Sequence, residues 1–184
     1  MQSPAAFDAS AWIANNTVGG TQLTSDSQQA VAAFTAMWNF FESTLCNNSA
    51  SIAAFEQIAE RLDAPRVPEA TRRTLESCLA FWRFRYKTPE GFGHRFEGLN
   101  FRSRDRRDHV EAVLQGTATE PHEKLLAQMI IVYRLRNNLF HGIKTLDMLN
   151  DQTQNLWAAS RCLAAILEAV PTRFVSSRRV HAAG

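Results

Sequence analysis

The stretch IIVYRLRNNLFHG, residues 130–142, reads as an apolar helix that ends in a group of polar residues. Its apolar side chains occupy most of the helix circumference, which is typical of a central rather than a peripheral helix. Arg136, Asn137 and His141 lie at its end, just before Gly142, a residue type that often stops a helix. We therefore expect the rest of the chain to pack around this helix.

The remaining sequence shows helical periodicity and no β-alternation or hairpin signal. The predicted helices begin at Ser25 or Asp26, at about Ser51, Glu69 and Asp105, at Pro121, and at Asn150 or Asp151. We predict an all-α fold, an up-and-down helical bundle of about five to six helices. Residues 1–24 form a partly irregular N-terminal extension with a helical turn near its start, residues 25–170 the bundle, and residues 171–184 a basic, mobile tail.

The composition is that of one ordinary globular domain with a net charge of +2, which neither requires nor excludes a polyanionic partner. Seventeen arginines stand against three lysines. Arginine suits bidentate phosphate recognition better than lysine, although codon bias produces the same preference.

The three cysteines Cys46, Cys78 and Cys162 have no CxxC spacing and are predicted to be buried free thiols in a reducing compartment. No signal peptide and no membrane-spanning stretch is visible, so we predict a cytoplasmic protein without a membrane partner. The spacings of the histidines match no tight metal site, and no cofactor motif is present, so we predict neither metal nor cofactor.

The longest segment predicted to be irregular, Glu90–Ser103, interleaves aromatic and basic residues. Its phenylalanines could stack on single-stranded nucleic acid, or they could hold the segment on the core while its arginines face solvent. We favour the second interpretation. The aromatic residues are Phe92, Phe96 and Phe101. The basic residues are His94, Arg95 and Arg102 within the segment and Arg104 directly after it.

The polar end of the central helix carries an energetic constraint. A thin polar strip is supplied by Lys124, Gln128, Arg134 and Asn138. Arg136, Asn137 and His141 lie instead where core residues are expected. A buried guanidinium without a partner costs several kcal/mol, so Arg136 must be paired or must face a cleft. The three residues could merely cap the helix end, but their clustering favours a functional site.

The spacing of these residues adds a geometric constraint. Asn137 and His141 are four residues apart and lie side by side on a helix. Arg136 and His141 are separated by about 140° around an ideal helix, so the two cannot hold the same small group from one regular helix. Either the helix ends early, or a second copy of the chain completes the site as a two-fold dimer.

Arg136-Asn137-x-x-x-His141 resembles the motif of the HEPN superfamily, in which an arginine, a polar residue and three further residues precede a histidine. The adjoining NNLFHG sequence is similar to that of bacterial HEPN proteins from toxin–antitoxin and phage-defence loci. The resemblance implies a metal-independent endoribonuclease that works as a homodimer and leaves a 2′,3′-cyclic phosphate, with Arg136, Asn137 and His141 as catalytic residues. It also implies a separate antitoxin or regulatory protein as a possible partner.

Weaker candidates for contacts to the RNA substrate are Asn138, Lys144, His94, Arg95, Arg102 and Arg104. Two alternatives to the ribonuclease stay open. One is a non-catalytic HEPN module that binds RNA, a nucleotide or a protein. The other is a helical interaction protein in which the polar cluster is only a helix cap.

Overall fold

The computed structural model describes residues 7–18, 20–140 and 147–172. These residues contain eight α-helices: α1 Ala9–Asn16, α2 Ser25–Leu45, α3 Ile52–Glu60, α4 Glu69–Tyr86, α5 His94–Glu97, α6 Arg107–Gln115, α7 Pro121–Phe140 and α8 Thr153–Ala169. Two strands of two residues each, β1 Lys87–Thr88 and β2 Gly91–Phe92, form an antiparallel pair. The predicted all-α helical bundle is confirmed.

The helix starts follow from polar caps. Thr24 accepts a hydrogen bond from the Ser27 N–H and caps α2, which begins at Ser25, one of the two predicted starts. Ser51 does the same for α3 by accepting from the Ala54 N–H. At α7, Pro121 occupies the first turn, and the Glu123 carboxylate accepts from the Glu120 N–H at 3.0 Å.

The core forms where α8 packs against α2 and α4, and where α7 packs against α3, α6 and α8. The apolar stripe of α2, whose residues recur every three or four positions, is buried from Phe34 to Leu45. That on α8, from Leu156 to Val170, is buried as well. Most of the apolar side chains of α7 are fully buried, as expected for the central helix. In contrast, α1 contributes no buried residue.

The segment 90–103 differs from the prediction of an irregular segment without a hairpin. It contains β2 and α5. Pro89 and Glu90 form the turn between β1 and β2, and Gly91, the first residue of β2, has a φ of +133°. Strands of two residues are too short to show alternation, which explains the wrong prediction. Phe96 is fully buried, and its ring centre lies 4.3 Å from that of Phe92 and 5.2 Å from that of Phe101. The phenylalanines therefore hold this segment on the core, as the favoured interpretation predicted.

The three cysteines are buried free thiols, as predicted. Burial, with a smaller contribution from Glu42, raises the pKa of Cys46 to about 12. In the described parts of the chain, no helix has the length and apolar character needed to cross a membrane. Most of the predicted C-terminal tail, residues 173–184, lies outside the described residues.

Candidate functional site

A buried ion pair joins the second half of α7 to the segment before α6. Arg134 Nη1 is 3.0 Å from Asp105 Oδ2, and the two side chains are only 3% and 8% exposed. Arg134 Nε also donates to the Leu99 carbonyl at 3.0 Å, and Asp105 Oδ2 accepts from the Arg102 N–H at 2.7 Å. Burial lowers the pKa of Arg134, and Asp105 opposes that effect. The charge of this guanidinium is thus already balanced.

Asn138 continues the same row one turn later. Its amide nitrogen donates to the carbonyls of Gly98 and Leu99 at 2.9 Å and 3.2 Å. Gln128, Arg134 and Asn138 of the predicted polar strip are all buried. The backbone carbonyls that follow α5 need donors, and Arg134 and Asn138 supply them.

Arg136 has different surroundings from Arg134. It is half-buried, and its Cζ atom lies 5.6 Å from the centre of the Trp38 ring and 5.1 Å from that of the Phe140 ring. Nη1 donates to Asn137 Oδ1 at 3.2 Å, whereas Nε is buried without a hydrogen-bond partner among the described residues. None of the ion pairs within residues 7–18, 20–140 and 147–172 includes Arg136. Aromatic faces and an amide hold this cation, and no described carboxylate neutralises it.

The Trp38 ring is itself fixed. Its Nε1 donates to Glu42 Oε2 at 2.9 Å, and the other oxygen of Glu42 accepts from the Ala50 N–H at 3.3 Å. On α7, Tyr133 stacks on Trp38 with ring centres 6.0 Å apart. Trp38 therefore offers Arg136 a rigid surface, with a cation–π attraction of about 0.5–2 kcal/mol. Trp38 belongs to the apolar stripe of α2, and nothing in the sequence indicated its contact with Arg136.

The structure brings Arg136 and the buried Asn137 together, but it does not describe the third predicted catalytic residue. His141, Gly142 and Lys144 lie outside the described residues. Helix α7 is regular through Phe140, the residue directly before His141. The roles predicted for His141 and Lys144 stay predictions.

Three of the weaker candidates meet at a separate place. Asn138, His94 and Arg95 line a pocket of about 360 Å³ together with side chains from α4, α8 and the turn before α8. The other lining residues are Arg85, Tyr86, Gly98, Leu99, Leu135, Asp151, Gln152 and Asn155. Arg102 and Arg104 are exposed and do not line it.

Four buried polar atoms of this pocket's residues have no hydrogen-bond partner in the described structure: Arg85 Nε, the Tyr86 hydroxyl, Asn138 Oδ1 and Asn155 Oδ1. Burial raises the pKa of Tyr86, so its phenol is protonated near neutral pH. Each unsatisfied group costs about 1–3 kcal/mol of desolvation. Arg85 and Tyr86 lie at the end of α4, and nothing in the sequence indicated that they line a pocket.

The arginines at the start of α6 are neutralised. Arg106 forms an ion pair with Glu56, and Arg107 pairs with Glu97 at 2.6 Å and with Glu111 at 2.7 Å. Hydrogen bonding to Arg107 lowers the pKa of Glu97. These cations are less available to a phosphate than Arg136. No three His, Cys, Asp or Glu side chains among the described residues are grouped as metal ligands.

Comparisons with protein-family models, with curated proteins and with solved structures gave no match to this chain.

Proposed function

We propose that the protein is a metal-independent endoribonuclease of HEPN type, a toxin or phage-defence effector acting in the cytoplasm, whose site combines Arg136, Asn137 and His141. The observation that supports it most is the contrast between two arginines on one helix. Arg134 is neutralised by Asp105, whereas Arg136 rests on Trp38 and Phe140 without a described carboxylate. An arginine held in this way retains donors for a phosphate.

The proposed reaction is an internal transesterification. The ribose 2′ oxygen attacks phosphorus, the bond from phosphorus to the 5′ oxygen breaks, and the products are a 2′,3′-cyclic phosphate and a 5′-hydroxyl. His141 takes the 2′-hydroxyl proton or protonates the leaving oxygen. Arg136 stabilises the charge that grows on the non-bridging oxygens, and Asn137 holds the Arg136 guanidinium through the hydrogen bond to its Oδ1.

A homodimer supplies what one chain lacks. Attacking and leaving oxygens lie on opposite sides of phosphorus in an in-line displacement, so one imidazole does not serve both at once. Two facing copies of the end of α7 would provide two histidines and two arginines. Phe140, 49% exposed beside Arg136, is an apolar side chain that such an interface would cover.

The test is cleavage of a mixed RNA substrate in EDTA by wild-type protein, Arg136→Ala and His141→Ala. We expect wild-type cleavage to survive EDTA, with cyclic-phosphate ends, and each variant to lose about 10²- to 10⁴-fold in rate. Arg73→Ala, an exposed arginine on α4, is the matched control and should retain the wild-type rate.

Persistent cleavage in both site variants would remove these residues from the mechanism. RNA binding by the wild-type protein without cleavage, across varied substrates, would favour the non-catalytic HEPN module instead. If a separate antitoxin exists, its complex should mask Arg136 and His141, and it should block cleavage.

A further inference from the structure

The pocket of about 360 Å³ lies on a different side of α7 from Arg136. Arg136 contacts Trp38 of α2, whereas Asn138 faces the segment after α5. The two residues are two positions apart, which corresponds to about 200° around a helix. The pocket is therefore separate from the proposed ribonuclease site.

Three residues that line the pocket carry buried oxygen atoms without a described hydrogen-bond partner. Asn138 donates through its amide nitrogen to two carbonyls, so its orientation is fixed and Oδ1 is left as the acceptor without a partner. Asn155 donates to Gln152 Oε1 at 2.9 Å, and its Oδ1 also lacks a partner within the described chain. The Tyr86 hydroxyl is the third such group. Each of these atoms is buried and belongs to a residue that lines the pocket.

Two arginines also line the pocket. Arg85 donates through Nη2 to the Asp151 carbonyl at 3.0 Å, and its buried Nε has no described partner. Arg95 is exposed at the pocket and close enough to lower the pKa of Arg85, although burial is the larger cause. His94 lies beside them, and Asp151 is the single carboxylate residue among those that line the pocket. Because two guanidinium groups and only one carboxylate line the pocket, its charge favours the binding of an anion.

We propose that this pocket binds a small oxyanion that also carries an amino group. The oxyanion pairs with Arg85 and Arg95, and the N–H groups donate to Asn138 Oδ1, Asn155 Oδ1 and the Tyr86 oxygen. The pocket volume lies within the usual range for small-molecule sites. Two sources carry this chemistry: a free α-amino acid, and a mononucleotide whose base has an exocyclic amino group.

The experiment is calorimetric titration of the full chain with two matched pairs of ligands. L-alanine carries an amino group where L-lactate carries a hydroxyl. CMP carries an exocyclic amino group on its base, which UMP lacks. We expect the amino-bearing member of one pair to bind at least about tenfold more tightly than its partner, because only it supplies the N–H donors. The pair that shows this difference identifies the source.

Two variants locate the binding. Arg95→Gln and Tyr86→Phe should each weaken the preferred ligand by at least about tenfold, whereas the controls Arg73→Gln and Tyr133→Phe should not. Without ligand, Tyr86→Phe should melt at or above the wild-type temperature, because it removes a hydroxyl without a partner. This result separates lost binding from lost folding.

Three outcomes would overturn the proposal. The first is no binding by any of the four compounds at millimolar concentration. The second is binding that neither Arg95→Gln nor Tyr86→Phe weakens. The third is a ligand-soaked crystal in which ordered water alone satisfies the three oxygens. Loss of RNA cleavage in Arg136→Ala would bear on none of these, so the two proposals fail independently.

Discussion

Arg134 and Asp105 form a buried ion pair that joins the central helix to the segment just before α6, with 3.0 Å between Nη1 and Oδ2. The same guanidinium donates to the carbonyls of Leu99 and Asn100. One side chain thus connects three positions of a segment that contains no regular helix of its own.

Replacing Arg134 by methionine should lower the free energy of unfolding by about 3–5 kcal/mol, because Asp105 is then left buried without its partner. The double variant Arg134→Met with Asp105→Asn should lose less than the sum of the single changes, since the uncompensated charge is removed. Urea denaturation measures both. Arg104→Met, an exposed neighbour, is the control, and a loss below about 1 kcal/mol for Arg134→Met would contradict the assigned role.

The adjacent asparagines should separate stability from activity. Asn138→Ala leaves the carbonyls of Gly98 and Leu99 without a donor and should cost about 1–3 kcal/mol of unfolding free energy. Asn137→Ala removes the acceptor for Arg136 Nη1 and should lower the rate of RNA cleavage. Thermal melts and initial cleavage rates, measured on the same preparations, check the pair. Cleavage by Asn137→Ala at the wild-type rate would show that this hydrogen bond does not position Arg136.

A composite dimer site predicts that one defective chain inactivates its partner. Wild-type and His141→Ala chains, mixed in equal amounts and refolded together, should cleave at about a quarter of the wild-type rate, because only about a quarter of the dimers then carry both histidines. Cleavage and light scattering are measured on the mixture. About half of the wild-type rate would show that each chain works without the histidine of its partner.

Alkaline stability should report on Tyr86. Burial raises its pKa above the ordinary value of 10, so the unfolded chain loses this proton first as the pH rises. The contribution of Tyr86 to stability is therefore complete below pH 10 and falls above it, by up to about 1.4 kcal/mol per pH unit. Tyr86→Phe should flatten the decline of unfolding free energy above pH 10. Because Cys46 is present in both the wild type and Tyr86→Phe, the difference between their pH profiles reports on Tyr86 alone. Parallel declines of the unfolding free energy above pH 10 would contradict the raised pKa of Tyr86.

The helices could be predicted because their apolar periodicity and their caps are local properties. Phe34, Trp38 and Phe41 on α2 follow the stripe that the sequence predicts, and all three are buried. The hairpin after α4 could not be predicted in this way, because its strands have two residues each. Similarly, Pro121 and the buried row of α7 follow local rules.

The environments of the polar residues on α7 depended on long-range contacts. Arg134 and Arg136 are both arginines on the same helix, yet Arg134 meets Asp105, 29 positions earlier, and Arg136 meets Trp38, nearly a hundred positions earlier. Helical spacing assigns each to a face but does not say what covers that face. The same applies to Tyr86 and Asn155, which share a pocket although they belong to different helices.

The link between α7 and residues 98–105 also constrains how such chains can diverge. Loss of Arg134 alone would leave the Asp105 carboxylate buried without a partner, and loss of Asp105 alone would do the same to the Arg134 guanidinium. Neither change is therefore neutral by itself. In related sequences, positions 105 and 134 should therefore covary. Deletions that shorten this segment should coincide with an apolar residue at position 134.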